Sequence, residues 1–148
     1  MKTSSLKLTA VLTAIVFGGC SYLPFSGGAL KGEERAAMED WSSVADVSII
    51  QLETNPNEPY SVNLWMIADG ADLLVYGGDS HAQWAQNIDA DPAVRVKIGD
   101  YVYPLQGKRE TDEAAFRAFV VMWDNKYGSD RSDSTAADTY LYRLSAAE

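Results

Sequence analysis

The chain holds one cysteine and one histidine in 148 residues. With Cys20 alone, no disulfide can close within the chain. His81, with no cysteine near it, makes no metal cluster of the usual His/Cys kind. Any Ser-His-Asp set would have to use His81, and no such set is identifiable. Positive charge is also scarce, with 12 Lys and Arg against 21 Asp and Glu and a formal net charge of −9. That balance excludes a general nucleic-acid binder, which needs a basic face. It equally excludes electrostatic docking on anionic lipid. No apolar run reaches the ~20 residues of a membrane-spanning helix. Dinucleotide, Walker and Cys-x-x-Cys motifs are missing, and no two carboxylates form a defensible glycosidase dyad. Repeats and low-complexity tracts are absent too.

What is present begins with an export pattern. Lys2 and Lys7 flank a start without acids, and Leu8 to Gly19 is apolar and small. That is the n-region and h-region of a secretory signal. Cys20 follows Gly18-Gly19 and resembles the lipobox cysteine of bacterial lipoproteins, with Phe17 where that pattern usually has Leu, Val or Ile. The resemblance implies a signal peptide over 1–19, lipidation at Cys20 and a membrane anchor without a spanning helix. Ser21 in place of Asp points to the outer membrane, facing the periplasm. Ser21 to Gly32 is rich in Gly and Ser and reads as a flexible tether over 20–32. The folded domain is then 33–148, long enough for one modest core.

Within that domain the hydrophobic period changes repeatedly. Ala37, Met38, Trp41 and Val44 or Ala45 recur at helical spacing, predicting a first helix from Glu33 to about Ala45. Strands follow over VSIIQLE, YSVNLWMIADG and DLLVYGG, with the cluster TNPNEP and the hairpin signal Asp69-Gly70 between them. Ser80 and Gln83 fit a capping box. They open a short helix carrying His81, Trp84 and Ile88 on one face, which Asp91-Pro92 ends. AVRVKIG alternates cleanly, setting Arg95 and Lys97 together on a solvated face. YVYPLQGKRE is the next strand. Thr111 caps a long helix whose buried stripe is Phe116, Phe119, Val120 and Trp123, and Gly128 stops it. TYLYRLS closes the domain. This order predicts an α+β fold: a small antiparallel six-stranded β-barrel with flanking helices.

Trp84, Asn87, Asp91-Pro92, the alternating Val94, Val96 and Ile98, and Gly99 resemble the split β-barrel flavin-binding superfamily. The nearest patterns are deazaflavin-dependent nitroreductase-like and pyridoxamine phosphate oxidase-like proteins. The resemblance spans about Ala45 to Ser145. It implies a groove for FMN or a deazaflavin near Asn63, Trp65, Tyr76, Gly77, Gly78, Ser80, His81 and Trp84. Glycines would let backbone approach the ligand, and a helix start favours phosphate. Two departures bear on the cofactor. Relatives carry a basic turn between the first two strands, where this chain has TNPNEP. They also often carry Lys before the His, where this chain has Ser80.

The same residues have plainer readings. Trp84 and Ile88 read as core, and His81 as a helix-start residue or a ligand contact. Asn87 reads as a partner for the Asp-Pro turn backbone. Trp65 reads as a groove wall or as a Trp packed under the C-terminal helix. Arg95, Lys97, Lys108 and Arg109 are the remaining cations that could meet a phosphate. Two functions stay open. One is a non-catalytic envelope lipoprotein that binds a small ligand or a partner, including a second copy through a sheet face. The other is a flavin- or deazaflavin-dependent oxidoreductase acting on a small substrate. The missing cations favour the first.

Overall fold

The computed structural model describes residues 27–78 and 82–147. Seven strands and two helices are formed. They are β1 (Glu33–Glu34), β2 (Ile49–Thr54), β3 (Tyr60–Asp69), β4 (Asp72–Gly77), α1 (Gln83–Ala90), β5 (Ala93–Ile98), β6 (Tyr101–Glu110), α2 (Glu113–Tyr127) and β7 (Tyr140–Ser145). The sheet runs β1-β6-β5-β2-β3-β4-β7, and a β6–β7 pairing closes it. Six strands thus make a closed antiparallel barrel, as the alternating pattern predicts, and β1 adds a parallel two-residue edge on β6.

Alternation decides which side chains fill the barrel. Ile50, Leu52, Met66, Leu73, Val75, Val94, Val96, Tyr103, Leu105, Tyr142 and Leu144 form one interior cluster. The α1 residues Trp84, Ala85 and Ile88 join it, so this short helix plugs one end. Two glycines allow that approach. A Cβ at Gly77 would stand 2.7 Å from the Trp84 ring, and one at Gly107 would stand 2.8 Å from Ile88. A second cluster lies outside the barrel, where Phe116, Phe119 and Trp123 of α2 cover Ile67, Leu74 and Leu141. Val120 is only half-buried beside it.

The caps differ from the sequence reading. Helix α1 begins at Gln83 with Ala82 as its cap residue and no side-chain cap bond. The expected capping box therefore has no third helical position at Gln83. The cap of α2 is Asp112 rather than Thr111, its carboxylate accepting from the Ala115 N–H at 2.8 Å. Gly128 ends α2 in the left-handed region at φ 63°, as expected.

The predicted first helix is not formed. Residues 27–41 run as an extended strap around the barrel, followed by a single 3-10 turn over Ser42–Val44. Ala37, Met38, Trp41 and Val44 do face the interior cluster, so their spacing reported burial. Their backbone finds partners on the barrel instead of in a helix. The Glu33 and Arg35 N–H groups donate to Asp100 and Val102 carbonyls, and Trp41 N–H donates to Gly70 O. The Trp41 indole, fully buried, donates to Ala71 O at 3.0 Å. A buried segment satisfies its polar groups by whichever route is near, and here a strand edge is nearer than the next turn.

Part of the expected tether is docked as well. Gly27 and Ser61 exchange both backbone hydrogen bonds, at 2.7 and 2.8 Å. Leu30 is buried, and its N–H donates to the Glu53 carboxylate. Cys20 and the export pattern lie outside the described residues.

Candidate functional site

The turn between β2 and β3 meets the start of α1, and a cleft of about 420 Å³ lies between them. Asn55, Glu58, Pro59, Tyr60, Gln83 and Asn87 line it. Asn55 takes the left-handed conformation at φ 57°, which Asn tolerates and which bends the chain out of β2. Thr54 Oγ1 donates to Tyr60 O at 3.3 Å and accepts from Asn87 Nδ2 at 2.9 Å. Gln83 in turn donates to Asn87 Oδ1 at 2.8 Å. Asn87 thus ties α1 to β2, not to the Asp-Pro turn as its position suggested. The Asp91 carboxylate serves that turn, accepting from the Ala93 N–H at 3.0 Å. Among the described residues Glu58 is the one charged side chain lining the cleft. An anionic group placed there would face that carboxylate and no cation of the described residues.

The remaining predicted site residues divide among several places. Asn63 and Trp65 lie on the outer face of β3, both exposed. Tyr76 lies half-buried on the outer face of β4, stacked on Phe119 at 5.7 Å, its hydroxyl accepting from Arg131 Nη1 at 2.9 Å. Trp123 joins the two, at 5.8 Å from Trp65 and 5.6 Å from Tyr76. Trp65 also stacks on Tyr127 at 5.6 Å and an interplanar angle of 21°, yet stays 51% exposed. It packs on the C-terminal helix with one side, as one of the two sequence readings had it, and leaves the other side open. Trp84 is elsewhere, inside the barrel at an edge-on 5.2 Å from Tyr142. Gly77 backs onto that ring, and Gly78 is exposed. Ser80 and His81 lie outside the described residues.

The end of α2 locks this face. Lys126 Nζ donates to Val47 O and Met66 O at 2.7 and 3.0 Å. The Tyr127 hydroxyl donates to Met66 O at 2.6 Å. Burial lowers the Lys126 pKa, against the pull of Asp46, and raises that of Tyr127. Both shifts follow from packing against strands.

Of the four cations, none lines the turn cleft. Arg95 is not solvated as the alternation suggested. Its Nη1 meets both oxygens of buried Glu53, at 3.1 and 3.2 Å, beneath the strap. Arg109 lies over the Tyr140 ring at 4.0 Å and donates to Thr139 O. Lys108 is exposed. Lys97 lines a different cleft with Gln51 and Asn63. Gln51 carried no signal in the sequence beyond its place on β2. Among the described residues no His/Cys/Asp/Glu group could hold a metal, and no helix is long and apolar enough to cross a membrane.

The profile of the F420H(2)-dependent quinone reductase family matches residues 59–139, more than half of the chain. The chain belongs to that family. No curated protein matches it significantly. Solved structures share the fold. An F420-H2-dependent reductase is 17% identical, with 78% of this chain and 99% of that one covered and a TM-score of 0.53. An FAD-binding protein from Mesorhizobium loti is 14% identical, with 72% and 87% covered and a TM-score of 0.52. A chain described as a domain-swapped dimer is 16% identical, with 73% and 87% covered and a TM-score of 0.54. The family match runs from the end of the β2–β3 turn to just before β7. Residues 54–58, the turn that carries no cation, precede it. Among the described residues the turn cleft does not fit the phosphate end of an F420-type cofactor: Glu58 would repel it, and the lining amides bring no charge to hold it.

Proposed function

We propose that this F420H(2)-dependent quinone reductase family member is a flavin- or deazaflavin-dependent oxidoreductase acting on a small substrate. The family match over β3 to α2 carries that reading. The turn cleft adds a condition: affinity must come from the ring and not from phosphate. Riboflavin and FMN should then bind about equally. The test is an absorbance spectrum of the purified protein, followed by titration with F420, FMN and riboflavin while Trp emission is read. Quenching by one of these rings, with reduction of a quinone or nitroaromatic acceptor, is expected. No chromophore and no quenching by any ring overturns the reading.

A second reading is a non-catalytic binder, and the uncompensated Glu58 at the turn favours it. Ring binding without turnover would select it. In either case we propose a lipid-anchored envelope protein, attached through Cys20 and facing the periplasm. Lys2, Lys7 and the apolar run before the sole cysteine support this. Replacing Cys20 with Ser should move the protein out of the membrane fraction, and retention there overturns the anchor. A homodimer is proposed from the domain-swapped structural relative. Light scattering across protein concentration tests it.

A further inference from the structure

The outer face of β3, β2 and β5 is laid out in rows by the strand registers. Ser61, Glu53 and Arg95 make one row, with Glu53 opposite both others. The strap covers it through Leu30. Asn63, Gln51 and Lys97 make the next row. Ile49 and Trp65, opposite one another, make the third. In the first row the Glu53 charge is matched by Arg95, which still borders a separate cleft beside Thr54 and Pro56. A cleft of about 430 Å³ lies over the second row and Ile49, and Trp65, opposite Ile49, stands at its border.

That cleft differs from the rest of this acidic protein. Its polar lining includes Ser48, Gln51, Asn63 and Lys97, with no carboxylate among the described lining residues. Lys97 has no ion-pair partner among the described residues. Beside this row stand Ile49 at 53% and Trp65 at 51% exposure, two of the most open large apolar side chains in the described structure. Contiguous exposed apolar groups beside a convergent polar set mark a ligand site. Trp65 is held by Tyr127 and Trp123, so its ordering cost is met before anything binds.

We propose that this cleft binds a flat aromatic ring carrying one acidic oxygen group, such as a carboxylate. The ring lies against Ile49 and the open side of Trp65. The acidic group meets Lys97, and the Gln51 and Asn63 amides add hydrogen bonds. Charge selects the anion: the lining holds a single cation and nothing to neutralise it. The cleft is separate from the turn cleft at α1 and needs no cofactor, so it stands or falls apart from the reductase reading.

The test uses the full-length protein and 2-naphthoate, with 2-naphthylmethanol and 2-naphthylmethylammonium as neutral and cationic controls. Calorimetry gives affinity, and NMR follows the Gln51 and Asn63 side-chain amides. We expect 2-naphthoate to bind, to shift those amides and to outcompete both controls. Lys97→Gln should weaken 2-naphthoate about tenfold and leave 2-naphthylmethanol unchanged. Trp65→Ala should weaken both, and Trp65→Phe should restore much of the loss. Lys108→Gln is the control that changes nothing. Three outcomes overturn the proposal: no saturable binding, equal binding of the ammonium probe, or an affinity indifferent to Lys97→Gln. Iodide quenching of Trp65 that falls as protein concentration rises would give this face to a second copy instead.

Discussion

Glu53 is 4% exposed and still carries a charge-bearing side chain into the barrel wall. It is tolerated because Arg95 and the Leu30 N–H both bond to it. Removing Arg95 would leave the buried Glu53 carboxylate without its cation, a loss on the order of 3 kcal/mol. Arg95→Ala should lower urea-unfolding stability by about that much. Glu53→Ala with Arg95→Ala should cost clearly less than the two single changes summed. Tyr142 gives a pH prediction. Burial, and then its hydrogen bond to Asp89, push its phenol well above the usual range. A folded pKa above the unfolded one gives stability that is whole below about pH 10 and lost as pH rises further. Unfolding monitored from pH 8 to 11 should show that decline. Tyr142→Phe should flatten it while costing about 1 kcal/mol at neutral pH. At this scale the sequence was legible where spacing decides burial: Trp84 and Ile88 are core. It was not legible for Arg95, because alternation gives the side of the sheet and not what lies over it. The strap that covers Arg95 comes from more than fifty residues earlier in the chain.

Among the elements, the strands and both helices of the barrel could be read from period and turn chemistry. Asp69-Gly70 turns as predicted, with Asp69 paired to Asp72. The strap could not, since four apolar residues at helical spacing are equally served by any path that points them inward. What separates the two is the backbone's choice of partner, and that depends on the start of β6, which β7 leaves unpaired, and on the Gly70 carbonyl. Trp41 shows the energetic weight of the segment. Fully buried and edge-on to Tyr103 at 5.0 Å, it fills the barrel core without a helix around it. Trp41→Ala should cost about 3–5 kcal/mol in denaturant unfolding. A loss under 1 kcal/mol would mean the strap is dispensable to the core.

For the whole molecule, the distribution of charge matters more than its sum. Most of the matched family segment is barrel and helix, and its cations meet Glu53, Tyr140, Tyr76 or backbone carbonyls, or lie at the surface, with Lys97 in the open cleft. The place where relatives meet phosphate holds Glu58. Departures in TNPNEP were visible in the sequence, and the structure turns them into a cleft with an acid in its wall. The open cleft at Lys97 was less visible, because three strands contribute one polar side chain each and no local motif joins them.

The strap also sets how the protein answers a pull from its N-terminal side. Load applied at Gly27 reaches Ser61 first, then Glu53 through Leu30, then Asp100 and Val102 through Glu33 and Arg35. These bonds are met in succession along the chain. Residues 27–41 can pay out up to roughly 50 Å of chain before Trp41 is tugged. A pull from that side is thus met by the strap bonds to Ser61, Glu53, Asp100 and Val102 before it reaches Trp41 in the barrel core.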